Sequence, residues 1–340
     1  MESKTKFFIG IDVSKPYFDA SLMCVIEHQK QPIQTIRFEN SIQGLKHFHD
    51  WLKKNKVALN ENTLLVIENT GIYHRLLWAF CCDKKLPIHI GNSAHIKWSF
   101  GIARGKSDRI DSIRLCQYAC READSLKSTG VLDPTLLRLQ DLMASRRRML
   151  SQLNSNKTYL NELRNISDKA TRQMLERVHR DAIKGLSESI AKIEAMMKKI
   201  IAENDKIKTN YGLLTSVPGI GNLTAIYLIC CTNNFACGRS GKQLACYAGV
   251  VPFEHSSGIS IKGRNRVSNM ANKELKKMLH LCAISAIQSY PEFKGYYERK
   301  TGEGKPKMSV INAIRNKIVL RAAAVINKQT PYIKNSGAAA

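Results

Sequence analysis

From Leu136 to about Asn204 the chain holds no proline, and Gly185 is its only glycine. So long a stretch without a helix breaker folds as long helix and little else. Apolar residues recur in it at heptad-like spacing: Leu136, Leu139, Met143, Leu150, Leu153, Leu160 and Leu163, then Leu186, Ile190, Ile193, Met197 and Ile200. The two sets part near Asn165-Ile166-Ser167-Asp168. The pattern predicts two long helices in an antiparallel or intermolecular coiled coil. A helical hairpin packed on its own domain is the plainer alternative. A homo-oligomer, dimer or tetramer, is the expectation the spacing favours.

The chain before this stretch reads differently. Phe7 to Ser14 is a buried strand, and Tyr17 to Ile26 and Pro32 to Phe38 continue it as a meander. Ser41 to Lys54 has helical periodicity behind a Ser41 cap. Thr63 to Ile67 is another buried strand, followed by a helix over Ile72 to Leu86 and a strand over Pro87 to Ile90. This order predicts an RNase H-like α/β domain. After the long helices, Val217-Pro218-Gly219-Ile220-Gly221 forms a turn that opens a helix, like the hairpin of a helix-hairpin-helix. There the backbone at Gly219 and Gly221 would approach a phosphate; a tight interhelical turn is the structural alternative. A helix over Gly241 to Ala248, a Gly- and Ser-rich loop over Phe253 to Asn269 and a helical segment from Asn272 complete the reading. The fold class is α/β plus α, divided into 1–128, 129–207, a mainly helical 208–332 and a tail over 333–340.

The charge sets the partner. Lys and Arg number 53 against 28 Asp and Glu, a formal net charge of +25. Such an excess opposes compaction by self-repulsion and points to a polyanion, nucleic acid before membrane. The ten cysteines are scattered, with no C-x-x-C spacing. They read as small buried hydrophobes in a reducing compartment. No signal peptide and no bilayer-length apolar run is visible. A soluble, cytoplasmic protein without a membrane partner is expected.

Four acids carry the chemistry. Asp12 ends the first strand and Glu68 ends the strand at Thr63 to Ile67. A carboxylate closing an apolar strand is costly unless it binds a cation or caps a helix. Asp108 and Asp111, three apart, share one face of a helix. In an RNase H-like sheet the first and fourth strands are neighbours, so Asp12 and Glu68 sit side by side, and a following helix brings the aspartates to them. Four carboxylates in one place repel without a counter-ion, and Mg²⁺ suits an all-oxygen set beside phosphate.

The strings Gly10-Ile11-Asp12-Val13-Ser14-Lys15, Glu68-Asn69-Thr70-Gly71-Ile72-Tyr73 and Lys106-Ser107-Asp108-Arg109-Ile110-Asp111 resemble the DEDD motif set of bacterial insertion-sequence transposases of the one-ten family, which includes the Piv-type DNA invertases. Pro218-Gly219-Ile220-Gly221, Leu244 to Pro252, and His255-Ser256-Ser257-Gly258 are similar to the same family's C-terminal motifs. The resemblance spans nearly the whole chain. It implies a RuvC-like domain, a coiled-coil middle and a C-terminal transposase domain whose Ser-Gly serine attacks DNA. Here that serine matches Ser257, with Ser256 the adjacent alternative. The resemblance further implies donor and target DNA as substrates and an element-encoded guide RNA as partner.

A serine hydroxyl needs a base, metal or cation to ease its deprotonation. His255 adjoins it, and Lys262, Arg264 and Arg266 follow as candidate phosphate contacts. The expected function is Mg²⁺-dependent strand cleavage and rejoining through phosphoserine. A Holliday-junction or other structure-specific nuclease, with Ser257 incidental, is the first competitor. A non-catalytic nucleic-acid scaffold is the second.

Overall fold

The structure is a computed structural model. It describes residues 5–69, 71–101, 107–131, 133–165, 168–236, 238–257 and 261–333, with backbone alone at 255–257, 261–262 and 264–265. Two compact units divide it, 1–132 and 133–340.

The first unit is built on one mixed sheet. Strands β1 (Lys6–Val13), β2 (Tyr17–Ile26), β3 (Gln29–Lys30), β4 (Gln34–Glu39), β5 (Thr63–Glu68) and β6 (Ile88–Gly91) run in the order β3-β2-β1-β5-β6, with β4 pairing β2. β2 lies antiparallel to β1, whereas β5 and β6 are parallel to it. This is the RNase H-like topology. Strand alternation sends Phe7, Ile9 and Ile11 to one face and Phe8, Gly10 and Asp12 to the other. The first face packs α1 (Ile42–Lys54) and α2 (Arg75–Asp83) through Phe48, Trp51, Leu52, Leu77 and Cys81. Ser41 caps α1 from its side chain onto the Gly44 amide.

The expected helix over 72–86 is shorter. Gly71 takes φ of +76° and residues 71–74 turn, so α2 begins only at Arg75. The second face receives α4 (Asp108–Arg121), with the short α3 (Ser93–Ser99) beside it.

The second unit is helical. α5 (Pro134–Leu163) and α6 (Lys169–Ala202) form an antiparallel hairpin within one chain. Arg146 meets Glu194 at 2.7 Å, and Asn156 meets His179 at 3.1 Å. Asp133 and Asp168 cap the two helices. Leu136, Leu139, Ile193, Met197 and Ile201, at the hairpin's base, share one core with all the helices that follow. Those are α7 (Asp205–Thr215), α8 (Asn222–Cys231), α9 (Gly241–Tyr247), α10 (Lys273–Ser289), α11 (Pro291–Gly302) and α12 (Lys307–Lys328). Pro291 and Pro306 divide the C-terminal helical segment into its three pieces.

The stretch Phe253 to Asn269, expected as loop, holds a two-stranded antiparallel ribbon instead. It consists of β7 (Pro252–Ser257) and β8 (Ile261–Val267), irregular between Phe253 and His255.

Candidate active site

Glycine brings the acids together. A Cβ on Gly10 would lie 1.9 Å from the Cys116 amide nitrogen and 2.3 Å from the Ser112 carbonyl. Helix α4 therefore rests directly on the β1 backbone, closer than any other residue permits. Small side chains continue the contact: Ser112 bonds Ser21 of β2 at 2.9 Å, and the Cys116 thiol donates to the Phe8 carbonyl at 3.2 Å. The register Ile11↔Ile67 puts Asp12 and Glu68 at the same end of neighbouring parallel strands. Ser107 caps α4 by accepting from the Ile110 amide, and Asp108 and Asp111 occupy the first turn. The helix's positive end favours both carboxylates there.

The four acids thus converge, and the field shows it. The Asp12 carboxyl is pushed up from 3.8 to about 6, first by burial, then by the charges of Asp108, Asp111, Glu68 and Asp19. Among the described residues no group of three His, Cys, Asp or Glu side chains is arranged to grip one ion. Both aspartates of α4 have partners of their own. Asp108 Oδ2 accepts from the Tyr17 hydroxyl at 3.1 Å and lies 3.7 Å from the Arg37 guanidinium. Asp111 Oδ1 is 3.0 Å from Arg114 Nη1. The acids gather without closing on one point, and each aspartate of α4 has a cation beside it. The donor chemistry fits a hard divalent ion: all oxygen, all anionic, and mutually repelling at Asp12.

Sequence reasoning missed one acid of this group. Asp19 lies directly opposite Asp12 in the β1–β2 register, 3% exposed, and takes Arg37 in a two-pronged pair at 3.0 and 2.7 Å. The signal was present: an aspartate between Phe18 and Ala20 in an apolar strand is as costly as Asp12. Arg37 also stacks 3.8 Å from the Tyr17 ring centroid.

The C-terminal candidates fall differently. The backbone of Ser257 ends β7, paired with Ile261, and that of Ser256 pairs with Lys262. The side chains of His255, Ser256, Ser257, Lys262 and Arg264, and the whole of Gly258, lie outside the described residues. Arg266 is exposed on β8. Gly221 is exposed at the N-terminus of α8 with open space beside it. Gly219 takes φ of +90°, and a Cβ there would come within 2.8 Å of the Cys282 carbonyl. Packing on α10 therefore accounts for this glycine without any phosphate.

A basic chain with acids gathered at one end of an RNase H-like sheet has the features of a DNA-processing class. Comparisons narrow the class. A transposase model of the IS110 DEDD type matches residues 9–167, and the model for transposases of the IS116/IS110/IS902 family matches 211–298. The pilin gene-inverting proteins of Moraxella bovis and Moraxella lacunata are each 30% identical over 97% of this chain and 98% of their own length. An uncharacterized 43.6 kDa protein of insertion element IS110 from Streptomyces coelicolor is 29% identical over 35% of this chain and 29% of its own. Among solved structures, T. thermophilus RuvC in complex with Holliday junction substrate is similar at 10% identity over 36% of this chain and 99% of that one. Its TM-score is 0.26, too low to bear on the site. The chain belongs to the IS110 family of DEDD transposases. No helix among the described residues is long and apolar enough to cross a membrane.

Proposed function

We propose that the chain is a Mg²⁺-dependent transposase that cuts and rejoins DNA through a covalent phosphoserine. The gathering of Asp12, Glu68, Asp108 and Asp111 by the β1–β5 register and the seating of α4 on Gly10 carries the metal-dependent part of this proposal, and the family likeness supports the serine. Those four residues would hold the divalent ion, whose chemistry is to neutralise phosphate oxygens and favour a deprotonated nucleophile. Ser257 gives its proton to a base, for which His255 is the adjacent candidate, and its Oγ bonds to the scissile phosphorus. The bond from phosphorus to the leaving sugar oxygen breaks, and that oxygen takes a proton. The ester on Ser257 keeps the phosphodiester energy, so a second sugar hydroxyl reverses the step without ATP. Lys262, Arg264 and Arg266 hold phosphates along β8, and Gly221 offers the α8 N-terminus to another.

The chain acts as a homo-oligomer through the distal half of its helical hairpin. Met174 and Val178 there are 60% and 68% exposed, which supports a partner surface. An element-encoded guide RNA selects donor and target DNA, as the family likeness suggests.

The test is a trap on supercoiled donor DNA, followed by digestion and mass spectrometry of the adduct. Wild type and Ser256→Ala give phosphorylated Ser257, whereas Ser257→Ala and Asp12→Asn give no adduct. Ser257→Ala protein that still cuts at wild-type rate identifies a nuclease and ends the phosphoserine reading. Asp12→Asn protein that recombines without Mg²⁺ ends the metal reading. Loss of copurifying RNA on nuclease treatment without loss of recombination removes the guide.

A further inference from the structure

In the C-terminal unit the contact between α10 and α12 holds a charge that no acid among the described residues balances. Arg315 of α12 is 6% exposed. Its Nη2 donates to Nδ1 of His280 on α10. A guanidinium has no acceptor, so that ring nitrogen accepts and His280 is neutral, with Nε2–H left to donate. The Nε of Arg315 is buried without a partner. Lys276 lies one turn before His280 on the same helix, and its ammonium is held below the usual lysine range by burial first and by Arg315 second.

Acids are missing from this place. Helix α12 contains none. Glu274 of α10 faces a different cavity with Tyr227 and Asn272, Glu292 of α11 takes Arg321, and Glu303 takes Arg299 and Lys300. Among the described residues no carboxylate pairs with Lys276, His280 or Arg315. A buried cation left in this state destabilises its own fold, and an anion that completes it reverses the loss.

The cluster sits at the root of the β7–β8 ribbon. Asn312, one turn before Arg315, donates from Nδ2 to the Val250 carbonyl at 2.8 Å, two residues before β7 begins. The Lys276 stem passes 3.7 Å from the Cβ position of Gly249.

We propose that Lys276, His280 and Arg315 form an anion site that takes a backbone phosphate of the bound nucleic acid beside the ribbon carrying Ser256 and Ser257. The donors match a phosphodiester: a guanidinium edge with a free Nε–H, an ammonium, and a neutral imidazole N–H. The site rests on the nucleic-acid reading above but not on the identity of the nucleophile or of the metal.

The test uses the full chain with Arg315→Met and Lys276→Met, the second keeping the question open should the first not fold. Melting is followed against inorganic phosphate, with sodium chloride at matched ionic strength as control. Affinity for duplex DNA and for single-stranded RNA is measured across salt. Wild type gains melting temperature with phosphate, and both variants lose that gain. Arg315→Met melts no lower than wild type without phosphate. Its affinity falls about tenfold and its salt slope by about one, on DNA or on RNA according to which carries the contact. A variant that melts lower, with unchanged affinity for both polymers, makes Arg315 a packing residue and overturns the site. Phosphate stabilisation through these residues in a protein that binds neither polymer refutes the nucleic-acid assignment. It does so separately from any failure of the phosphoserine trap.

Discussion

Asp12→Asn stabilises the N-terminal unit at neutral pH while abolishing its chemistry. The Asp12 carboxyl moves from 3.8 in the ordinary state to about 6 in the fold. A raised carboxylate binds its proton more tightly folded than unfolded, so stability falls as pH rises from 3.8 through 6 and stays reduced above it. Fully shielded, that displacement is worth about 3 kcal/mol at pH 7. Asp12 is only half-buried, and water screens part of the repulsion, so about 1.5 kcal/mol is the working figure.

Asparagine removes the charge at nearly constant shape. All three tryptophans, Trp51, Trp78 and Trp98, lie in this unit, so fluorescence during urea unfolding follows it alone. In EDTA the variant should exceed wild type by about 1.5 kcal/mol at pH 7, and the gap should shrink toward zero near pH 4. Added Mg²⁺ should raise wild type and leave Asp12→Asn unmoved. A variant equal to or weaker than wild type at pH 7, by the same amount at pH 4, would refute the claim that these acids repel one another in one place.

Gly10→Ala drives a methyl into the Cys116 amide and the Ser112 carbonyl. It should cost about 3 kcal/mol in the same unfolding assay and lift Asp108 and Asp111 from Asp12. Asp19→Asn leaves Arg37 without its buried anion. A loss of about 2 kcal/mol is expected in urea, with strand cleavage shifted to higher Mg²⁺ as Asp108 loses its setting. Leu139→Ala opens the core at the hairpin base, where Leu139 is fully buried. It should lower the C-terminal unit's stability by about 3 kcal/mol by far-UV circular dichroism and leave the tryptophan transition in place.

The sheet was legible because its strands are apolar, short and bounded by turns, and their order has few solutions. Asp12 beside Glu68 followed from that order, and the i,i+3 spacing of Asp108 and Asp111 from helical geometry. The long helices were legible from the missing prolines. Other features depend on pairings far apart in sequence. Arg37 meets Asp19 across two strands: the costly aspartate is visible locally, but its partner is not. The β7–β8 ribbon reads as loop in the sequence because its residues are polar, Gly- and Ser-rich, and show no clean alternation. A turn before a helix suits Gly219 to a phosphate contact and to tight packing alike. Its φ of +90° and the α10 carbonyl beside it, invisible in the sequence, supply the packing reason.

The two units break the same rule with opposite signs. The first crowds anions until one carboxyl holds its proton near pH 6, with Gly10, Ser21 and Ser112 spending good packing positions on small residues to allow it. The second buries a guanidinium and finds it no acid. Each arrangement costs stability as it stands, and on the two proposals above each would be relieved by a ligand of the other sign: a divalent cation in one, a phosphate in the other. A phosphoryl-transfer reaction on nucleic acid brings both ligands at once. Saturation with Mg²⁺ should therefore stabilise the tryptophan-bearing unit alone, and inorganic phosphate the helical unit alone. Metal stabilisation of the helical unit, or phosphate stabilisation of the sheet, would break the link drawn between buried charge and ligand.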